Sequence, residues 1–309
     1  MHRTASSASD QHATSPAAAA GDWLHVEAPD AHELQLLRSL GIPDVMLEHA
    51  SDLDERPRVY REGELLMLVL NYPRRLSETG GIPYETSPIS VFVAGQRIIT
   101  VAPQSAEFVG PLLQGKVREL SVEDPTGFIL RLMWQLADEF LVCVREINAS
   151  VDQLEVRLRK SLRNEEVMGL LDCQKSLTYF TTAMRSNELV LERLRTLEVL
   201  DWTDADRDLL EDLQIEMRQA IEMVDISDNI LSQTMDAFTS IVSNNLGAVM
   251  KVLTSVTILL AVPTLIASLY GMNVLLPGER SPLAFTGLLL LSVVLCVVLF
   301  VMFRRRNWL

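Results

Sequence analysis

The chain has 309 residues, of which 48% are hydrophobic, and a formal net charge of -14 at pH 7. Because binding to nucleic-acid phosphate requires a basic surface, this acidity argues against nucleic acid as a partner. The three cysteines, Cys143, Cys173 and Cys296, are far apart in the sequence and predict neither a disulfide framework nor a zinc site.

The first 125 residues contain a polar tail followed by a region of mixed pattern. Residues 1–21 are rich in alanine and serine and have no apolar stretch long enough for a signal peptide, so we expect a disordered tail. Residues 22–125 are predicted to form a cytoplasmic α/β domain. Its predicted helices cover residues 31–40 and 44–50, and its predicted strands cover 65–70, 89–94 and 97–101, with a tight turn at Gly95-Gln96.

This domain shows no signature of catalysis. It contains no nucleotide-binding loop and no catalytic triad, so the sequence does not predict an enzyme. His25, His32 and His49 lack the spacing of metal ligands, and we expect each of them to be a surface or packing residue.

Nearly all of the chain after residue 125 has a helical pattern. Residues 126–203 are predicted to form cytoplasmic helices, with two amphipathic segments over 127–160 and 165–200. A third helix is predicted to begin near Asp204, with Thr203 or Asp204 as its N-cap, and to form a stalk over 204–251. No proline follows until Pro263, so this helix can continue to residue 270. Apolar residues recur on it about every 3.6 residues, which predicts either a straight packed stalk or simply the buried face of a bundle.

Two uncharged apolar segments, residues 252–270 and 283–303, lie close to the C-terminus. Each is long enough to cross a hydrocarbon core of about 30 Å, although a buried core helix could have the same composition. Lys251 precedes the first segment, and the basic tail 304–309 follows the second. The positive-inside rule therefore predicts a multi-pass protein of the cell (inner) membrane, with both termini in the cytoplasm and the loop 271–282 outside.

Small and hydroxylated residues recur on one face of the first apolar segment. Thr257, Ala261, Thr264 and Ser268 are spaced by three or four residues, and Met250 and Leu253 continue the same face. Such a face suggests close helix packing or a water-filled lumen. The second segment has no matching stripe beyond Ser292 and Cys296. Because one pair of helices cannot enclose a pathway for ions, a pore predicts a homo-oligomer.

The sequence Tyr270-Gly271-Met272-Asn273 ends the first apolar segment. Three other segments accompany it: Arg56-Pro57-Arg58-Val59, the run from Val249 to Thr254, and the terminal Trp308-Leu309. With these segments, and with the tetrad placed between two apolar segments, the chain resembles the CorA family of magnesium/cobalt ion transporters, the 2-TM-GMN type. The resemblance implies an α+β cytoplasmic domain, a long stalk helix and two transmembrane helices in a homopentameric funnel. It also implies a divalent-cation channel that moves Mg2+, or in some members Co2+ or Ni2+.

The same resemblance assigns roles to particular residues. The first membrane helix would line the pore with Met250, Leu253, Thr257, Ala261, Thr264 and Ser268. A ring of Asn273 would meet the hydrated ion at the mouth, beside Tyr270, Gly271 and Met272, and Glu279 would concentrate cations there. Without the family context, Asn273 would be interpreted as a helix C-cap residue.

The resemblance further implies that intracellular Mg2+ binds between subunits and holds the pore shut, so that Mg2+ is both the transported and the regulatory ion. Asp212 is at the stalk position of one family ligand, and partners would come from Glu48 and His49. The family commonly has an acid where His49 stands, and Glu48, Asp52 or Asp54 could substitute for it. Asp236 is a further stalk acid that could contribute. A solvated acidic surface explains the same charges.

Two other functions remain open at this point. A Zn2+ transporter of the same family is the first, although such relatives tend to have isoleucine at the position of Met272, so the methionine favours Mg2+. The second is a membrane-anchored helical scaffold or sensor that transports nothing. The expected partners are therefore further copies of the chain, membrane lipid and divalent cations.

Overall fold

A computed structural model describes residues 23–76, 83–114, 123–160, 164–197, 200, 202–272 and 283–308. The predicted tail 1–21, Asn273, Glu279 and most of the predicted loop 271–282 lie outside these residues. The chain divides into two compact units, Met1–Ser232 and Gln233–Leu309.

The first unit contains a five-stranded sheet. Its strands are β1 (Trp23–Glu27), β2 (Arg58–Glu62), β3 (Leu65–Arg75), β4 (Tyr84–Ala94) and β5 (Arg97–Ala102), in the spatial order β1-β5-β4-β3-β2. Strands β2 to β5 pair antiparallel with their sequence neighbours, and β1 pairs parallel to β5. The three predicted strands are present as β3, β4 and β5, and the turn at Gly95-Gln96 joins the last two. Strands β1 and β2 were not predicted.

Helices cover both faces of this sheet. The helices are α1 (Ala31–Ser39), α2 (Asp44–Ser51), α3 (Val109–Leu113), α4 (Pro125–Lys160), α5 (Asn164–Leu194), α6 (Asp204–Tyr270) and α7 (Ala284–Arg305). Leu37 of α1 and Met46 of α2 share one buried cluster with Met67 and Val69 of β3. On the other side, Phe128 of α4 packs edge-on against Trp23 of β1, and Phe140 of α4 packs in the same way against Phe180 of α5. Strand β3 is therefore buried on both faces, as its apolar sequence indicates.

Helix α5 is attached to the sheet by two side chains that bond to backbone groups. The Asn187 amide accepts a hydrogen bond from Asn71 N (2.9 Å) and donates one to Asn71 O (2.8 Å). The Ser176 hydroxyl accepts from Tyr84 N (3.2 Å) and donates to Tyr84 O (2.9 Å). Strand β2 pairs with β3 from Leu65 to Val69. Asn71 of β3 lies beyond this pairing, so the Asn187 side chain bonds the Asn71 backbone groups that β2 does not reach.

The ends of the long helices follow local chemistry. Helix α6 begins as predicted, with Thr203 as its cap: Asp206 N donates to Thr203 Oγ1 (3.1 Å), and Thr203 N donates to Asp206 Oδ2 (3.0 Å). Helix α5 ends at Leu194 rather than at the predicted residue 200. Its last turn tightens, with Leu197 N bonded to Leu194 O, and Trp202 Nε1 donates to Leu197 O at 3.3 Å.

The second unit contains the C-terminal part of α6 and all of α7. Pro263 lies inside α6. Helix α7 ends in a Schellman motif, in which Asn307 has a positive φ of 53° and Trp308 N donates to Phe303 O at 3.0 Å. The Phe303 and Trp308 rings stack with centroids 5.7 Å apart, and this contact fixes the chain directly after the three arginines 304–306.

Candidate functional site

The candidate site begins where α6 ends. Gly271 N donates to Ala267 O (2.9 Å) and Ser268 O (3.2 Å), so this residue closes the last turn of the helix. A Cβ atom at Gly271 would lie 3.3 Å from Ala267 O, and a larger residue would require a shift of the turn. Tyr270 and Met272 are exposed. Asn273 and Glu279 follow outside the described residues, so their roles at the mouth stay predictions.

All six residues predicted to line a pore are exposed in the single chain. They are Met250, Leu253, Thr257, Ala261, Thr264 and Ser268. At 3.6 residues per turn they share one face of α6. The opposite face contains buried Ser255 and the half-buried Ile258, Leu259, Val262 and Ile266. Cys296 of α7 reaches the Leu259 carbonyl on that opposite face, so the six residues face away from α7.

The hydrogen bonds of the threonine hydroxyls on this face have a defined direction. Thr257 Oγ1 donates its hydrogen to Leu253 O, and Thr264 Oγ1 donates its hydrogen to Leu260 O, each at 2.8 Å. These bonds to the preceding helical turn leave the oxygen lone pairs available outside the helix. The exposed face therefore presents hydrogen-bond acceptors.

Helix α7 has a different surface. Its exposed side chains are large and aliphatic, including Leu289, Val293 and Val297. Ser292 is half-buried and donates to Leu288 O of its own helix at 2.9 Å. This composition suits a helix that faces lipid hydrocarbon.

The predicted regulatory ligands form no hydrogen bond or ion pair with one another among the described residues. Glu48, Asp212 and Asp236 are exposed, and none of the described contacts joins them. His49 is half-buried; its Nδ1 lies 2.9 Å from Glu55 Oε2, and Glu55 also pairs with Arg58 at 3.1 Å. The described residues of one chain contain no group of three or more His, Cys, Asp or Glu that could hold a metal ion. Any site of the predicted kind would therefore need ligands from a neighbouring subunit.

Among the residues that the structure describes, the acidic part of α6 has few basic partners. Asp225 pairs with Arg185 at 2.7 Å, and Asp206 is used in the helix cap. Burial and the nearby charge of Asp225 raise the pKa of the Asp228 carboxyl above its usual range. The Asp228 Oδ1 atom is buried and has no hydrogen-bond partner among the described residues. Negative charge on this helix is therefore only partly compensated.

A second charged cluster lies at the end of β3. Arg75 pairs with Glu146 at 2.9 Å, and lies 3.6 Å from Glu139 and 3.7 Å from Glu107. The Arg75 guanidinium lowers the pKa of Glu146, whereas burial raises the pKa of Glu139. Burial also raises the pKa of the neighbouring Cys143 thiol to about 12, so this cysteine is a packing residue rather than a reactive one. This cluster was not predicted from the sequence, because its members lie far apart along the chain.

These features define an integral membrane protein with a mixed α/β N-terminal domain. Helix α6 and the segment Phe285–Arg305 are long and apolar enough to cross a membrane, and their apolar parts are almost entirely exposed in the chain. The sequence matches the family described as CorA-like Mg2+ transporter protein over residues 18–305. The chain therefore belongs to this family of divalent metal ion transporters and is not an enzyme.

Relatives and solved structures agree with this family. The cobalt/magnesium transport protein CorA of Methanocaldococcus jannaschii is 25% identical over 292 residues, which cover 93% of this chain and 90% of that protein. The cobalt/magnesium transport protein CorA of Thermotoga maritima is 23% identical, over 87% of this chain and 77% of the relative. The complete structure of the CorA magnesium transporter from Methanocaldococcus jannaschii superposes with a TM-score of 0.80, over 93% of this chain and 91% of that one.

The comparisons confirm the predicted family and fold class: a mixed α/β N-terminal domain, a long stalk helix and two long apolar helices. They also confirm membrane localisation. The individual site residues and the exact domain boundaries are not tested by them, and those stay predictions.

Proposed function

We propose that the chain assembles as a homopentamer that conducts Mg2+ across the cell membrane. Residues 22–125 and 126–203 form the cytoplasmic part, 204–251 the stalk, and 252–270 and 283–303 the two membrane helices. Residues 271–282 then lie outside, and 304–309 form a basic cytoplasmic tail. The basic residues that flank the two membrane segments support this orientation.

One observation carries the proposal: an exposed face of α6, with hydroxyl acceptors, runs to the Gly-Met-Asn sequence. Mg2+ binds its water shell tightly and loses it reluctantly. The hydrogens of that shell point outward, so a pathway for the hydrated ion needs oxygen acceptors along its wall. Thr257 and Thr264 supply such acceptors, because their hydroxyl hydrogens are already bonded within the helix.

The acceptor face is complete only in an oligomer. A single α6 presents one wall, and several copies around an axis are needed to enclose water. The family resemblance implies five copies. At the outer mouth, a ring of neutral Asn273 amides would hydrogen-bond the water shell without binding the ion as tightly as carboxylates.

Mg2+ is the preferred cargo in this proposal. Two relatives are named cobalt/magnesium transport proteins, and Met272 favours Mg2+ over Zn2+. Co2+, Ni2+ and Zn2+ are the competing ions that an experiment must include. We further propose that intracellular Mg2+, bound between stalks near Asp212, favours the closed pore.

The test is Mg2+ uptake into proteoliposomes by wild type and Asn273→Ala. Asn273→Ala is expected to abolish uptake while leaving the oligomer intact by native mass spectrometry, and exposed Asn229→Ala serves as the matched control. Co2+, Ni2+ and Zn2+ are added as competitors. Near-normal uptake by a folded Asn273→Ala pentamer would remove Asn273 from the selectivity role, and a wild type that transports none of the four ions would refute the proposal.

A further inference from the structure

Pro263 creates a gap in the hydrogen bonding of α6. In an uninterrupted helix, the N–H of residue 263 would donate to the carbonyl of residue 259. Proline has no N–H, and its ring also crowds the carbonyl four residues earlier. The Leu259 carbonyl therefore loses its helical donor. In a membrane segment no bulk water is present to replace that donor, so the group needs a partner from the protein.

Helix α7 supplies that partner. Cys296 Sγ donates to Leu259 O across the two helices at 3.5 Å, an ordinary distance for a bond that involves sulfur. Cys296 is half-buried, as are Leu259 and Pro263. The next carbonyl, Leu260 O, accepts from Thr264 Oγ1 at 2.8 Å. Two consecutive carbonyls next to the gap thus have side-chain donors, one from α7 and one from α6 itself.

The gap in hydrogen bonding lies between two halves of the exposed face that the proposed function assigns to the ion pathway. Thr257 and Ala261 precede Pro263, and Thr264 and Ser268 follow it. A change in the geometry at residue 263 therefore changes the alignment of the two halves of this face. Because proline is a common cause of bends in helices, a bond to the carbonyl that Pro263 frees can affect that alignment.

We propose that Cys296 is a positioning residue for ion conduction: its thiol bonds the Leu259 carbonyl that Pro263 leaves without a helical donor, and so fixes the geometry of α6 at this gap in its hydrogen bonding. The functional part of this inference rests on the proposed function. Cys296 does not touch the ion. It acts through Leu259 and Pro263, from the side of α6 opposite to the acceptor face.

A double-mutant cycle tests this mechanism. Cys296→Ala removes the donor, and Pro263→Ala restores a backbone N–H that can bond Leu259 O. Cys296→Ala alone is expected to lower the maximal rate of Mg2+ uptake roughly fivefold, the factor that corresponds to one weak hydrogen bond, and to leave the half-saturating Mg2+ concentration unchanged. In the Pro263→Ala background the same change is expected to have no effect. Ser292→Ala, one turn earlier on α7, is the matched control.

A spectroscopic measurement separates this inference from the proposed function. The infrared S–H stretch of Cys296, isolated as the difference between wild type and Cys296→Ala, is expected at the frequency of a hydrogen-bonded thiol. In Pro263→Ala it is expected to shift towards that of a free thiol. This readout needs no ion flux, so it remains decisive if Pro263→Ala conducts nothing or if the cargo is another ion.

Two outcomes overturn the inference. The first is a Cys296→Ala effect on uptake that is equal in both backgrounds. The second is an S–H band that does not move in Pro263→Ala. A band that shifts while wild type fails to transport any divalent cation would leave the bond in place and refute only the proposed function.

Discussion

At the scale of single residues, Asn187 has the clearest structural role. Its side chain is almost fully buried, and it bonds both the N–H and the C=O of Asn71. Asn187→Ala would leave two buried backbone groups without partners, and each such loss typically costs about 1–3 kcal/mol. We expect this variant to be less stable by about 2–4 kcal/mol.

The measurement is the apparent Tm of the detergent-solubilised protein, followed by circular dichroism. Exposed Asn229→Ala is the matched control, because it changes the same residue type without removing a buried bond. Equal Tm values for the two variants would show that water or another group replaces the Asn187 amide.

Residue-scale predictions from the sequence succeeded where the interaction is local. Thr203 or Asp204 was predicted as the cap of α6 from residue type alone, and Thr203 fills that role with Asp206, three residues away, as its partner. Asn187 and Asn71 are separated by 116 residues, and nothing in either neighbourhood indicates the other. His25 was predicted as a surface or packing residue, and it is buried beside Thr100 with its Nδ1 2.8 Å from Thr100 Oγ1.

At the scale of elements, the exposed face of α6 leads to a prediction about the conduction of Mg2+. Thr264→Leu replaces a hydroxyl acceptor by an apolar side chain that is also larger. An apolar constriction disfavours water and therefore a hydrated ion, so we expect Thr264→Leu to reduce Mg2+ uptake by at least about tenfold. Thr257→Leu is expected to act in the same direction. The measurement is the initial rate of uptake into proteoliposomes at equal protein content.

Val294→Leu provides the matched control, because Val294 is exposed on α7 and the substitution ends in the same side chain. It is expected to change the uptake rate by less than about twofold, since it alters only a hydrocarbon-facing surface. If the threonine and valine variants behave alike, the assigned face does not line the pathway.

A helix or strand was predicted correctly where its own sequence has a clear periodic pattern, and it was missed where that pattern is weak. Helix α6 was predicted from 204 to 270 because a long segment with helical periodicity and no proline before Pro263 has few alternatives. Strand β2 was missed because it is a short, charged edge strand whose residues are mostly exposed, so it has no apolar alternation. Strand β1 was missed because its parallel pairing to β5 spans 75 residues of sequence.

At the scale of the whole molecule, the sequence predicted the family and the fold class, and the comparisons confirm both. The candidate site is harder to predict because its function depends on neighbouring subunits. In one chain the face of α6 with Thr257 is exposed, and Glu48 and Asp212 are exposed without a described contact between them. Neither an enclosed pore nor an intersubunit metal site can be derived from the contacts of a single chain.

The last prediction concerns regulation and follows from charge. Between residues 202 and 236, α6 and its cap carry many carboxylates and only Arg207 and Arg218 as basic residues. In an oligomer these stalks would lie near one another and repel, and bridging divalent cations would offset the repulsion. An ion can favour the closed state only through its higher affinity for that state.

Asp212→Lys is the decisive variant, because it changes the charge by two units per subunit at the proposed regulatory position. The lysine can pair with carboxylates of a neighbouring stalk, so the closed arrangement should persist without bound metal. We expect wild type to become resistant to a protease as Mg2+ rises, and the variant to be resistant already at low Mg2+. Glu211→Lys, at the adjacent exposed carboxylate on another side of the helix, is the control and is expected to keep the wild-type midpoint.

If Asp212→Lys also keeps that midpoint, Asp212 belongs to a solvated acidic surface. The pairing of His49 with Glu55 then marks a place where the family's usual acid has been replaced and the metal site lost or moved.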